Sequence, residues 1–182
     1  MSTIDSAERL CKRFGPGQLP GAGRRAVGGG YAIATAALSA AIVFVLARGG
    51  YAFLTAGPEG FQGLLAPTVT FAYYGLFAVP LVVPAAFLAG VVVWRTLPEG
   101  TPYYGPVAGV LATLLTYVVA TAIMAVVLFG YLAFAPGAPF EVASAGVLAV
   151  VIGVVGFVYT FWVTLPLGAV SGYIHERAVG TE

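Results

Sequence analysis

Residues 157–177 read FVYTFWVTLPLGAVSGYIHER: an apolar run with an internal proline, Pro166, two glycines four apart, Gly168 and Gly172, and then the chain's only histidine, His175. At about 1.5 Å of rise per residue, an apolar helix of about 20 residues crosses the hydrocarbon of a bilayer. Extended back to residue 143, this stretch exceeds that length. It is therefore read as a membrane span that ends in a charged collar, His175-Glu176-Arg177.

The rest of the chain has the same character. It is 60% hydrophobic and 8% charged, with a mean hydropathy of +0.97 over 182 residues. Soluble domains carry about 25% charged residues, and a soluble protein this apolar would expose large sticky patches. The class is an all-α integral membrane protein. Four spans are expected at about 26–47, 71–94, 106–134 and 143–174, forming an antiparallel bundle. A cytoplasmic segment, 1–25, precedes them and a short tail, 175–182, follows.

Within the first 25 residues, Thr3 to Phe14 has a helical period. Ile4, Ala7, Leu10, Cys11 and Phe14 share one face, and Glu8, Arg9, Lys12 and Arg13 the other. This is either an amphipathic helix on the cytoplasmic leaflet or a frayed terminus. Cys11 is either acylated there or a plain thiol. The first span is longer than the apolar core of a secretory signal and follows a long polar block, so it is read as a retained anchor. Arg48 to Thr70, with Gly, Pro and aromatic residues, is expected to be a loop lying in the interface. Pro80 and Pro84 are expected to kink the second span. Pro106 suits the first turn of the third.

Charge sets the orientation. Arg9, Lys12, Arg13, Arg24 and Arg25 precede the first span, Arg95 lies between the second and third, and Arg177 follows the fourth. With four spans all of these fall on one side, and Arg48 alone falls on the other. The positive-inside rule then places both termini in the cytoplasm of a multi-pass cell-membrane protein. The heavy use of Ala, Val and Gly, with Lys12 as the only lysine, suggests a high-GC prokaryotic genome.

An internal duplication is a further hypothesis. Residues 94–100, WRTLPEG, and 162–168, WVTLPLG, agree closely. Two helical hairpins related by an axis along the membrane normal would explain this.

Much chemistry is closed to the chain. One cysteine allows no intramolecular disulfide or paired-thiol chemistry, and one histidine no bis-histidine haem. No ionisable Asp, Glu, Lys, Arg or His lies well inside a span, which argues against proton-coupled transport. Asn is absent altogether. The basic residues flank spans and form no nucleic-acid surface. No metal site, cofactor or enzymatic activity is expected. His175 and Glu176 alone do not make a metal site, and they are read as an interfacial helix end near the C-terminal dipole.

What remains polar in the membrane is mostly hydroxyl. Thr113, Thr116, Tyr117 and Thr121 form one stripe on the third span. They either line a pore or pocket or bond to their own and neighbouring helices. Gly105 and Gly109, Gly153 and Gly156, and Gly168 and Gly172 are expected to let helices approach closely. Three functions follow. The first is a non-enzymatic structural or accessory subunit that packs in the bilayer with itself or another membrane protein. The alternative is a small channel or facilitator for a neutral or lipophilic solute, which requires a cavity bordered by Thr113, Thr116 and Thr121. An enzyme acting on lipid through His175 and Glu176 comes last.

Overall fold

The protein is described here by a computed structural model covering residues 19–56, 61–98, 101–134 and 141–180. The expected amphipathic helix at Thr3 to Phe14 and Cys11 lie outside the described residues. Four long helices dominate: α1 (Arg25–Ala56), α2 (Phe61–Thr96), α3 (Tyr104–Phe134) and α4 (Ala145–Gly180). A short 3-10 turn at Val142–Ser144 leads into α4, where the Ser144 hydroxyl donates to the Glu141 carbonyl at 2.6 Å. No strand occurs among the described residues.

All four helices are long and apolar enough to cross a membrane, over Arg25–Ala47, Ala78–Thr96, Tyr104–Phe134 and Val142–Val179. Helix is the local structure expected of such sequences, because it satisfies every backbone N–H and C=O within the segment when no water is at hand.

The helices are longer than the hydropathy pattern suggested. Arg48 to Thr70, read as a loop, is helical over 48–56 and 61–70. Gly49 and Gly50 each cost a helix roughly 1 kcal/mol, less than unpaired backbone groups cost in an apolar setting. The helix also continues through Pro80 and Pro84. At the other end α4 does not stop at residue 174. It carries His175, Glu176 and Arg177 on to Gly180, so the expected tail is helical over its described residues. Between α2 and α3, Tyr103 takes a left-handed conformation, with φ 52°. The Val107 N–H then donates to the Tyr103 carbonyl at 3.1 Å. Pro106 sits in this first turn, where a missing N–H leaves no bond unmade.

The helices form a ring. α1 packs on α2 and α4, α3 packs on the same two, α1 only grazes α3, and α2 meets α4 through the Trp94 and His175 rings. The core is built of small side chains. Ala85, Ala86, Ala89, Ala108, Ala112 and Ala149 have no exposed surface. Large apolar residues point outward: Leu46 is 68% exposed, Val126 72% and Val147 69%. Lipid-embedded bundles have this arrangement, since they gain nothing by hiding Leu and Val from hydrocarbon and gain packing where backbones approach.

The two Trp heptapeptides do not occupy equivalent places. Trp94 lies in the last turn of α2 and is buried, whereas Trp162 lies in mid-α4 and is 52% exposed. The similarity of 94–100 to 162–168 is thus not matched by a common position in the helix or a common environment.

Candidate functional site: a hydroxyl-lined cavity

Glycine sets the approach of α3 to α4. A Cβ on Gly105 would meet the Gly172 carbonyl oxygen at 2.7 Å, and one on Gly109 would collide with the Gly168 carbonyl. Further along, a Cβ on Gly153 would collide with the Thr121 hydroxyl. Rising numbers on α3 therefore meet falling numbers on α4. Gly105, Gly109, Gly153, Gly168 and Gly172 all face a neighbouring helix of the same chain. Gly156 does not: a Cβ there meets nothing within 4 Å. The reason is a cavity.

That cavity has a volume of about 350 Å³ and is bordered by all four helices. α1 contributes Ile33, Ala36 and Ala40 among others, α2 Ala78, Val79 and Leu81 to Val83, and α4 Ile152, Gly153 and Gly156. Thr113, Thr116, Tyr117 and Thr121 of α3 line it, together with Thr160 and Thr164 of α4. Along α3, Thr113 to Met124 lies roughly 13–30 Å from the Tyr104 end, counting about 1.5 Å per residue. In a hydrocarbon layer about 30 Å thick, that range includes the midplane.

The hydroxyls have definite partners. Thr113 donates to the Gly109 carbonyl at 2.8 Å and Thr116 to the Ala112 carbonyl at 2.7 Å, each within α3. Thr160 donates to the Gly156 carbonyl at 2.7 Å. The Tyr117 hydroxyl bridges helices, 2.6 Å from the Thr160 hydroxyl and 2.8 Å from that of Thr164. The order Thr164 to Tyr117 to Thr160 to the Gly156 carbonyl uses each proton once. The Tyr117 ring is held edge-on against Phe157, with centroids 5.0 Å apart. Thr113, Thr116 and Tyr117 thus bond to backbone or to neighbouring hydroxyls, and together with Thr121 they border the cavity. Thr160 and Thr164 are the part that spacing on α3 alone did not bring in. Their i, i+4 separation opposite Tyr117 was the available signal.

A second cluster closes one end of the ring. The Arg25 guanidinium reaches Glu176 Oε1 at 2.6 Å and stacks over the Tyr104 ring at 4.4 Å. His175 Nε2 lies 2.9 Å from the Arg25 carbonyl and donates its proton there. The imidazole thus bonds to α1, and is not left at the C-terminal dipole of its own helix. Its ring edge meets Trp94 at 5.5 Å between centroids. The seat for these large side chains is Gly28-Gly29-Gly30, a triplet the sequence reading passed over. A Cβ on Gly28 would meet His175 Cε1 at 2.6 Å, one on Gly29 would meet Trp94 Cδ2 at 2.5 Å, and one on Gly30 would meet Val91 Cγ2 at 2.7 Å. Arg177 stacks on Tyr173 with 5.3 Å between guanidinium and ring. No cluster of His, Cys, Asp or Glu suited to a metal ion occurs among the described residues.

Comparison with known proteins finds no match to this chain, whether among protein-family models, curated proteins or solved structures.

Proposed function

We propose that this is a multi-pass membrane protein, an antiparallel bundle of four spans, that holds or passes a neutral, lipophilic molecule through the cavity between its helices. The observation that carries this reading is the cavity itself, bordered by the Thr113, Thr116, Tyr117 and Thr121 stripe, by Thr160 and Thr164, and otherwise by apolar residues. Its volume lies at the lower end of the roughly 300–1,000 Å³ of small-molecule sites, which are likewise mostly apolar with a few placed polar groups. No enzymatic step is assigned. The positive-inside rule supports termini on the cytoplasmic side, since Arg25, Arg95 and Arg177 lie at the helix ends gathered where Arg25 meets Glu176.

The accessory-subunit reading takes second place. Its basis was the spacing of small residues, and Gly105, Gly109, Gly168 and Gly172 are already occupied by contacts within the chain. It keeps one observation, the outward valine row of α4 at Val147, Val150, Val151, Val154 and Val158. Recovery of a stable complex in mild detergent supports that reading, and a monomer with no crosslinked partner counts against it.

The test of the principal reading is Gly156→Leu in nanodiscs. A Cβ at Gly156 meets nothing within 4 Å and the residue borders the cavity, so the leucine is expected to extend into it. Neutral lipophilic compounds are expected to raise the unfolding midpoint of the parent protein and to lose that effect in the variant. Equal shifts in both, or no shift in either, sink the proposal.

A further inference from the structure

We infer that the cavity selects an alcohol: a neutral amphiphile whose single hydroxyl donates a hydrogen bond to the α3 threonines, in preference to the matching ether or ketone. This deepens the reading of the cavity as a lipophilic site and rests on it.

The argument is an inventory of protons and lone pairs. A threonine hydroxyl has one proton to donate and two lone pairs. Thr113 and Thr116 direct their protons to the Gly109 and Ala112 carbonyls. The protons of Thr164, Tyr117 and Thr160 pass in order to the Tyr117 hydroxyl, the Thr160 hydroxyl and the Gly156 carbonyl. Thr113 and Thr116 are 7% and 6% exposed, yet both line the cavity. With their protons committed, these two keep only lone pairs for a ligand, and the Thr113 oxygen also packs against Gly168.

A ligand with only acceptors, such as a ketone, an ether or a quinone, would set lone pair against lone pair here. At Thr113 or Thr116 it could be satisfied only by breaking an internal bond, and in a medium without water the broken bond has no substitute. A ligand hydroxyl needs no rearrangement, since it donates to Thr113 or Thr116. It also accepts where a proton remains. Thr121 is the candidate, because it borders the cavity beside Gly153 and its hydroxyl has no hydrogen bond among the described residues. A charged headgroup is disfavoured, since the lining contains no Arg, Lys, His, Asp or Glu. The remainder of the lining, from Ile33 and Phe44 on α1 to Ile152 on α4, suits an aliphatic or isoprenoid chain.

The experiment uses the full chain in nanodiscs with a medium-chain primary alcohol carrying a photoreactive diazirine, and its methyl ether as the matched control. Labelled residues are mapped by mass spectrometry. The expected result is labelling of the cavity-lining stretches of α3 and α4, about five- to tenfold stronger for the alcohol, the scale of one net hydrogen bond. Thr113→Val combined with Thr116→Val should bring the alcohol down to the ether's level while leaving the ether's labelling unchanged. Thr→Ser at both positions should keep the preference, which guards against a merely misfolded variant. Equal labelling of the lining by both probes overturns the alcohol preference and leaves the lipophilic site standing. Labelling by neither probe overturns both.

Discussion

Arg25, the first residue of α1, and Glu176, near the end of α4, meet at 2.6 Å, and the same arginine stacks on Tyr104 at the start of α3. One guanidinium therefore ties three helices together at the end of the ring where His175 and Trp94 also pack. Both charged side chains are 28% exposed. Solvent screening thus reduces the worth of the pair, while the second Glu176 oxygen, buried without a hydrogen-bond partner, keeps a desolvation cost.

The first prediction concerns that pair. A double-mutant cycle with Arg25→Ala and Glu176→Ala, read from unfolding in mixed micelles, should give a coupling of about 1 kcal/mol, the upper end of exposed pairs. Arg25→Lys should not rescue it, because lysine loses both the planar fork and the stack on Tyr104. A coupling indistinguishable from zero would make the contact incidental.

Glycine substitutions should divide sharply by position. Gly109→Ala and Gly168→Ala drive a methyl into the facing backbone or the Thr113 hydroxyl. Neither can yield cheaply, so each should cost about 1–3 kcal/mol, as overpacking does. Gly146→Ala and Gly156→Ala meet nothing within 4 Å, and should be neutral or stabilising by up to about 1 kcal/mol through helix propensity. Thermal unfolding of the four variants side by side decides it, and equal losses in both groups would show that glycine does not set the α3–α4 approach.

The two tryptophans should differ as their surroundings do. Trp94→Ala removes a buried ring seated on Gly29 and His175, and should cost about 3–5 kcal/mol. Trp94→Phe should cost much less, since the Nε1 it deletes is buried with no hydrogen-bond partner. Trp162 is outward-facing and its indole N–H bonds only to the Tyr159 carbonyl three residues back, at 2.8 Å. Trp162→Phe should therefore change stability by less than about 0.5 kcal/mol. Comparable losses at Trp94→Ala and Trp162→Ala would instead favour equivalent positions in a duplicated hairpin.

Orientation is checked by labelling. In a Cys11→Ser background, cysteines placed at Arg24 and Arg177 should both react with a membrane-impermeant maleimide only when the cytoplasmic face is opened. A cysteine at Arg48 should react in intact cells, because α1 carries it about 34 Å from Arg25 at about 1.5 Å per residue. Labelling of positions 24 and 177 from opposite faces would rule out an even number of spans.

The helical class, the four apolar helices and the hydroxyl stripe were legible in the sequence, because each depends on composition or on the helical repeat within one segment. Thr113, Thr116, Tyr117 and Thr121 share a face whatever surrounds them. Loop boundaries were less legible. At Gly49 and Gly50 the local preference against helix is small, and the gain from pairing the backbone in an apolar setting outweighs it.

What only the tertiary structure decided is which of two identical-looking small residues touches a neighbour. Gly153 and Gly156 stand one turn apart on the same helix and both border the cavity, yet one abuts Thr121 and a Cβ on the other would meet nothing within 4 Å. The sequence alone also could not pair Gly28 with His175, or Tyr117 with Thr160 and Thr164. Those contacts depend on how far α4 slides along α1 and α3, and sliding alters no residue's own periodicity. The apolar pattern of each helix is nearly the same all round, so it holds no information on rotation or register. That information lies in the close approach of backbone to backbone at glycine.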